Sequence, residues 1–304
     1  MQGRNFAFIL PRLFCFGFRG LMHRIFLFIS VLFFFDSGLA FAGNDGFVFG
    51  PRAMATGSSG LLHADYWSLR NNPGALGRVD KSGASACFEN RYNLQALNQI
   101  AFGSAFVTKN MGTFGLSALR FGSGLFNQTR AGLGWAKAFG LASLGLEAQW
   151  YQVAAADFPA RHHFLLNFGG LAYLTPKIHF AASVSNILQS KASDFQDEKL
   201  PTLARAGISF LPNKKVKLLA EVQKDLDFDA VYKFGIEYEV TEKLWLRTGF
   251  SSQTEQASGG LGFEWRNLML DYATARHPLL GWTHSLGISL RWGKIQATEN
   301  KEKK

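Results

Sequence analysis

From about residue 83 to residue 292, apolar and polar side chains alternate with a period of two, not 3.6. The clearest run is YKFGIEYEV. Tyr232, Phe234, Ile236, Tyr238 and Val240 form one face, and Lys233, Gly235, Glu237 and Glu239 form the other. Leu144, Leu146, Ala148 and Trp150 stand opposite Gly145, Glu147, Gln149 and Tyr151 in the same way. Such segments fall near 83–92, 97–108, 112–121, 130–139, 141–151, 164–174, 178–187, 202–211, 216–224, 232–240, 244–252, 257–265, 268–275 and 283–292. They number about 14, each roughly the length with which a tilted strand crosses a bilayer. An even set of antiparallel strands closes a bacterial outer-membrane barrel.

The connections support the same reading. Those at 109–111, 140, 175–177, 212–215, 241–243 and 266–267 are tight. Those at 122–129, 152–163, 188–201, 225–231, 253–256 and 276–282 are mostly longer. Short turns at one end and longer loops at the other are the outer-membrane asymmetry. They put both ends of the barrel domain on the periplasmic side.

Charge sorts with the pleat. The apolar faces are nearly free of charge, apart from Arg120 and Lys137 near strand ends. The opposite faces carry Glu89, Arg91, Glu147, Arg205, Glu221, Glu237, Arg247, Glu264, Asp271 and Arg291, interspersed with Gly and Ser. A charge facing lipid at the bilayer centre costs roughly 2–4 kcal/mol, so the charged face lines a lumen. These residues are expected to form a charge-balanced network holding an internal plug. A strongly selective pore would show one dominant sign.

Composition agrees with a membrane barrel. Of 304 residues, 47% are hydrophobic and only 18% charged, with 32 Gly and 30 Phe. The formal charge of +10 is partly carried by residues 1–42, where Arg4, Arg12, Arg19 and Arg24 face one acid, Asp36. The remaining chain carries 28 basic and 21 acidic side chains, or +7, with no basic stripe of the kind that binds nucleic acid. Residues 1–42 read as a secretory signal. His23 and Arg24 precede the apolar run IFLFISVLFFF, and Ala40-Phe41-Ala42 is a cleavage site. Met22 is an alternative start. After cleavage only Cys87 remains, which excludes an intramolecular disulfide and a cysteine-built metal site. Residues 294–304 form a charged periplasmic tail.

Residues 43–82 do not alternate, and they include a short helical stretch near 63–70. A barrel of 14 strands is wider inside than its own side chains fill, so this segment is expected to fold into the lumen as a plug. Here the chain resembles a known family. GPRAMATG (50–57), ADYWS (64–68) and NNPGAL (71–76) look like the N-terminal hatch of PorV/PorQ-like proteins, within the wider FadL-type outer-membrane barrels. The hatch positions are Asp65, Asn71, Asn72, Pro73, Ala75 and Leu76, with Gly74 as an added small residue. FENRY (88–92), LPTLARAG (200–207), LDYA (270–273) and LGWTH (280–284) resemble the same group, so the likeness covers nearly all of 47–293.

The resemblance implies a 14-stranded barrel in the bacterial outer membrane, with a hatch and no cofactor. It implies two functions. PorV/PorQ-type members serve type IX secretion or surface attachment, with secretion-system or cargo proteins as partners. FadL-type members pass small hydrophobic compounds by lateral diffusion. We expect the first, a non-enzymatic accessory role, with the passive channel as the alternative; a secreted soluble β protein is a third class. Three motifs that suggest chemistry read better as scaffold. His162 and His163, adjacent in a loop, point apart and lack further metal ligands. The Asp225-x-Asp227-x-Asp229 run lacks the glycine and terminal acid of a calcium loop. His284 and Ser285 face opposite sides of a strand, so the histidine cannot activate that serine.

Overall fold

In the computed structural model, residues 48–190, 200–225, 228–253 and 255–293 are described; the signal segment and the charged tail lie outside them. Fourteen strands form a closed antiparallel barrel. They are β1 (Gly83–Asn90), β2 (Asn98–Thr108), β3 (Gly112–Gly122), β4 (Phe126–Phe139), β5 (Ala142–Ala155), β6 (Arg161–Tyr173) and β7 (Ile178–Ser185). Then follow β8 (Leu203–Asn213), β9 (Val216–Asp225), β10 (Val231–Thr241), β11 (Leu244–Ser251), β12 (Gln256–Trp265), β13 (Leu268–His277) and β14 (Gly281–Arg291). Every strand pairs with its neighbours in the chain, and β1 closes on β14 from Gly83↔Arg291 to Asn90↔His284. Closure leaves no sheet edge to be protected.

The pleat sorts side chains as the alternation requires. Along β3, Phe114, Leu116, Ala118 and Arg120 are exposed, while Thr113, Gly115, Ser117, Leu119 and Phe121 are buried. Exposed apolar side chains of this kind ring the whole barrel, from Phe88 to Leu290. In water such a belt would be an aggregation surface; here it is the lipid face of a transmembrane barrel in the bacterial outer membrane.

The strands overrun the bounds that alternation suggests. β4 begins at Phe126, and β5 and β6 reach into the expected loop 152–163, leaving only 156–160 between them. At this end the side chains no longer sort into apolar and polar faces although the ladder continues. His162 and His163 therefore lie on β6, paired with Gln152 and Tyr151, and not in a loop. Asp225 ends β9.

The N-terminal segment carries three short helices, α1 (Pro51–Ala55), α2 (Ser68–Asn71) and α3 (Pro73–Leu76). The helical turn near 63–70 thus begins later and is broken at Asn72, whose extended backbone lets Pro73 start the next turn. The buried apolar clusters lie between this segment and the inner wall. One joins Tyr66, Leu69, Leu76 and Val79 to Ala105 and Ala136; another joins Leu61, Leu62 and Ala75 to Leu171, Ala181 and Leu219. The protein's core is thus inside its barrel.

Candidate functional site: the occupied lumen and a seam in its wall

The N-terminal segment is tied to the wall on several sides. Asn71 brackets Phe49, its Nδ2 donating to the Phe49 carbonyl and its Oδ1 accepting the Phe49 N–H, both at 2.9 Å. Asn72 Oδ1 accepts the Gly74 N–H (3.0 Å), capping α3, while its Nδ2 donates to the carbonyls of Leu61 (2.9 Å) and Gly170 (3.1 Å) on β6. Gly74 rests on the backbone of Gly169 and Gly170, where a Cβ would overlap main-chain atoms, and Ser143 Oγ donates to its carbonyl. The inserted glycine of the hatch sequence is the residue that permits this approach. Pro73, Ala75 and Leu76 are fully buried beside it. Elsewhere Leu61 N–H donates to Glu221, Lys217 Nζ donates to the Leu62 carbonyl (2.8 Å), and Arg78 donates to the Gly140 carbonyl (2.8 Å).

The expected charged residues divide into clusters. Arg247 bridges Glu237 (2.7 Å) and Asp271 (2.6 Å), and Arg52 of α1 closes on the other oxygen of Glu237 at 2.6 Å. Asp65 faces Arg52 at 3.8 Å and accepts the Trp67 N–H. Glu147 accepts from Arg70 Nη1 (3.4 Å), Ser117 Oγ (3.0 Å) and Asn167 Nδ2 (2.7 Å). Glu221 faces Lys233 at 3.6 Å. Glu89 pairs with Arg91, just beyond the end of β1, and Glu264 with Arg291 near the opposite end of the barrel. Arg205 is buried but makes no hydrogen bond or ion pair among the described residues.

Sequence reasoning missed Arg52, Arg70, Arg130, Lys217 and His63. One signal was available. The ten wall residues singled out comprise six acids and four arginines, so cations from elsewhere were owed to them. His63 is 1% exposed and shares a hydrogen bond with Thr56 Oγ1 at 3.2 Å. Burial first, then the charges of Arg52 and Lys217, hold its imidazole well below the ordinary histidine value.

The wall itself has a discontinuity. β6 pairs with β5 along nearly its whole length, but with β7 only from Phe168↔Val184 to Tyr173↔His179. Beyond that point the chain turns at Asn186, with φ of 58°, and regular pairing stops. Among the described residues, isolated bonds bridge the gap: Asn186 N–H donates to Asn167 Oδ1 (2.9 Å), Ile187 N–H to the Leu166 carbonyl (2.9 Å) and Ser190 Oγ to the Phe164 carbonyl (2.6 Å). Phe164, Ile187 and Leu188 are exposed along this seam. Behind it lies a cavity of about 50 Å³, whose lining includes Leu165, Leu200, Leu203, Tyr151, Arg70 and Arg130.

No three His, Cys, Asp or Glu side chains come together as metal ligands among the described residues. His162 stacks on Trp150, and His284 Nδ1 lies 2.8 Å from the Tyr272 hydroxyl on the outer face. Ser285 is buried on the inner face.

No protein-family model matches the sequence, and no curated protein sequence matches it. Solved structures do resemble the fold. The toluene transporter TbuX of Ralstonia pickettii superposes with a TM-score of 0.60 at 13% identity, over 81% of this chain and 98% of that one. A mutant of the monoaromatic hydrocarbon channel TodX gives 0.63 at 11% identity, over 82% and 100%. The monoaromatic hydrocarbon channel CymD gives 0.57 at 12%, over 81% and 98%. At such identities the likeness is one of fold. What the chain shares with these channels is the barrel fold, and the narrower resemblance, to PorV/PorQ-like proteins, gains no support.

Proposed function

We propose that this protein is a passive channel for small hydrophobic compounds, in which the N-terminal segment acts as a hatch and the β6–β7 seam is the lateral exit. The observation that carries the reading is the conjunction of a filled lumen with an interrupted wall. In this reading residues 48–82, which bond to strands around the barrel, close a straight aqueous path. A hydrophobic solute gains nothing from such a path. It gains from a gap that joins an internal cavity to the lipid, because apolar surface then never returns to water. The seam offers this among the described residues: few hydrogen bonds to break and apolar side chains on both sides. The fold neighbours bear names of hydrocarbon channels, which agrees with this reading. No observation favours the secretion or attachment role over it.

The test is to lock the seam. Leu166 and Ile187 are joined by a backbone hydrogen bond across it. In a Cys87→Ala background, the pair Leu166→Cys and Ile187→Cys is expected to form a disulfide. Uptake of a hydrophobic probe such as toluene by cells carrying this variant should fall when oxidised and return on reduction. Uptake indifferent to the lock, in a fully cross-linked and heat-modifiable barrel, would overturn the lateral route.

A further inference from the structure

We propose that His63 is an acid-operated latch of the N-terminal hatch: a second proton on its imidazole frees α1 and the Thr56–Gly57 turn from β10–β12, while α2 and α3 stay on β3–β6. The latch rests on the reading of residues 48–82 as a hatch and adds the condition under which one half lets go. The segment has two footings, each on wall glycines. Leu69, Asn72, Pro73 and Leu76 lie against Gly115, Gly134, Gly145 and Gly169, where a Cβ would overlap them. Thr56 and Gly57 lie against Gly235 and Gly249 in the same way, and Ser258 Oγ accepts the Gly57 N–H (3.0 Å) and donates to the Ala55 carbonyl (3.2 Å). Between the footings Gly57 and Ser58 both take the left-handed conformation, with φ of 71° and 60°.

His63 braces the two halves. Its carbonyl accepts Ser68 Oγ of α2 (3.0 Å), and its ring Nε2 lies 3.2 Å from Thr56 Oγ1 at the end of α1. The Thr56 hydroxyl has one hydrogen and three carbonyls around it, those of Arg52 (3.1 Å), Ala53 (3.1 Å) and Ser59 (3.4 Å). Nε2 of the neutral ring therefore donates to that hydroxyl, and Nδ1 is the bare nitrogen. Nδ1 is buried and has no partner among the described residues, so a second proton there meets no acceptor.

The surrounding carboxylates are already engaged. Glu237 of β10 accepts Arg52 Nε (2.8 Å), Arg52 Nη2 (2.6 Å) and Arg247 Nε (2.7 Å), and Asp271 of β13 accepts Arg247 Nη1 (2.6 Å). Asp65 faces Arg52 at 3.8 Å and accepts the Trp67 N–H (3.0 Å). Glu221 of β9 accepts the Leu61 N–H and faces Lys233. After burial itself, the groups that act on the ring are Arg52 of α1, Lys217 of β9, Glu237 and Arg247 of β11, three cations to one acid. A charged imidazole is relieved by moving Thr56 and its turn off the wall, which brings Nδ1–H to water and uncovers the inner face of β10–β12.

Linkage gives the size of the effect. Once freed, the imidazole regains the ordinary value of about 6.5. While the latched ring stays neutral, each pH unit below that value raises the free population of the turn about tenfold, or roughly a hundredfold at about pH 4.5. The unlatched state binds the extra proton, so acid opens. Asp65 acts in the opposite sense, because burial pushes its carboxyl up in the latched state and acid then favours that state.

The experiment is hydrogen exchange by mass spectrometry on the mature full-length barrel, from about pH 7.5 to about pH 4.5, with protection corrected for the intrinsic rate at each pH. Protection of amides 54–63 is expected to hold down to about pH 6.5 and then to fall about tenfold per unit, while that of 72–78 is kept. His63→Gln retains a donor toward Thr56 and takes up no proton, so it should abolish the fall. Where that variant gives no heat-modifiable barrel, the onset in the native chain decides. An onset below about pH 5, where a carboxylate such as Glu237 takes its proton, would overturn the latch. So would a fall retained in His63→Gln, protection unchanged over the whole range, or 54–63 and 72–78 loosening together. None of these outcomes bears on the channel, which the seam lock tests by uptake.

Discussion

Gly74→Val is the sharpest probe of how the N-terminal segment is held. The new Cβ falls on the backbone of Gly169 and Gly170, which cannot retreat because both are paired into β5 at Gly145 and Leu144. The α3 turn must therefore lift from the wall. Lifting forfeits the hydrogen bonds from Asn72 Nδ2 to the Gly170 carbonyl and from Ser143 Oγ to the Gly74 carbonyl, together about 1–3 kcal/mol. It also exposes Leu76, now fully buried, at about 1.5–3 kcal/mol. Restricting the unfolded chain returns about 0.4–1 kcal/mol. The net local cost is roughly 2–5 kcal/mol, which raises the open population of this turn by about one and a half to three and a half powers of ten. Hydrogen exchange of the amides from 72 to 78, read by mass spectrometry on barrels that still show heat-modifiable migration, measures this directly. Gly74→Ala should give a smaller acceleration. Unchanged protection in Gly74→Val would show that the segment does not bear on β6 and would remove the steric account of Gly74.

Further outcomes follow from other parts of the barrel. Arg247→Met leaves Glu237 and Asp271 buried with Arg52 as the remaining guanidinium of their cluster among the described residues, and should lower stability to urea by about 3–5 kcal/mol. Adding Glu237→Gln and Asp271→Asn should recover part of that loss, because the uncompensated charges go with them. His63 stays neutral in the folded state while the unfolded chain takes up a proton below a pH of about 6.5. Acidification through that value should therefore destabilise the barrel by up to about 1.4 kcal/mol per pH unit until His63 itself protonates, and His63→Gln should flatten the urea-midpoint profile in that window. Ile236→Arg, on the outer face midway along β10, should cost about 2–4 kcal/mol in bilayer-coupled unfolding. A negligible cost would place that face away from lipid.

The strands were legible because lipid on one side and a filled lumen on the other impose opposite demands on neighbouring residues. Where that contrast ends, legibility ends too. Residues 152–155 and 161–163 continue the ladders of β5 and β6, and their composition does not alternate. The N-terminal segment was harder for a different reason. Its bonds join residues far apart in the chain, such as Arg52 to Glu237 and Asn72 to Gly170, and no periodicity encodes them. What the sequence does carry is a charge imbalance. Wall acids outnumber wall arginines among the positions singled out, and Arg52 and Arg70 of the segment supply the difference at Glu237 and Glu147. Lys233 was visible on the polar face of its strand, yet only the structure gives it Glu221. The seam left no trace of this kind. Phe164, Leu166 and Phe168 alternate as any lipid-facing strand does, and the break arises on the partner side, where Asn186 takes a left-handed turn that asparagine tolerates well. The interruption of β6–β7 pairing is thus written as one permissive residue at the end of a short strand, which a search for alternation passes over.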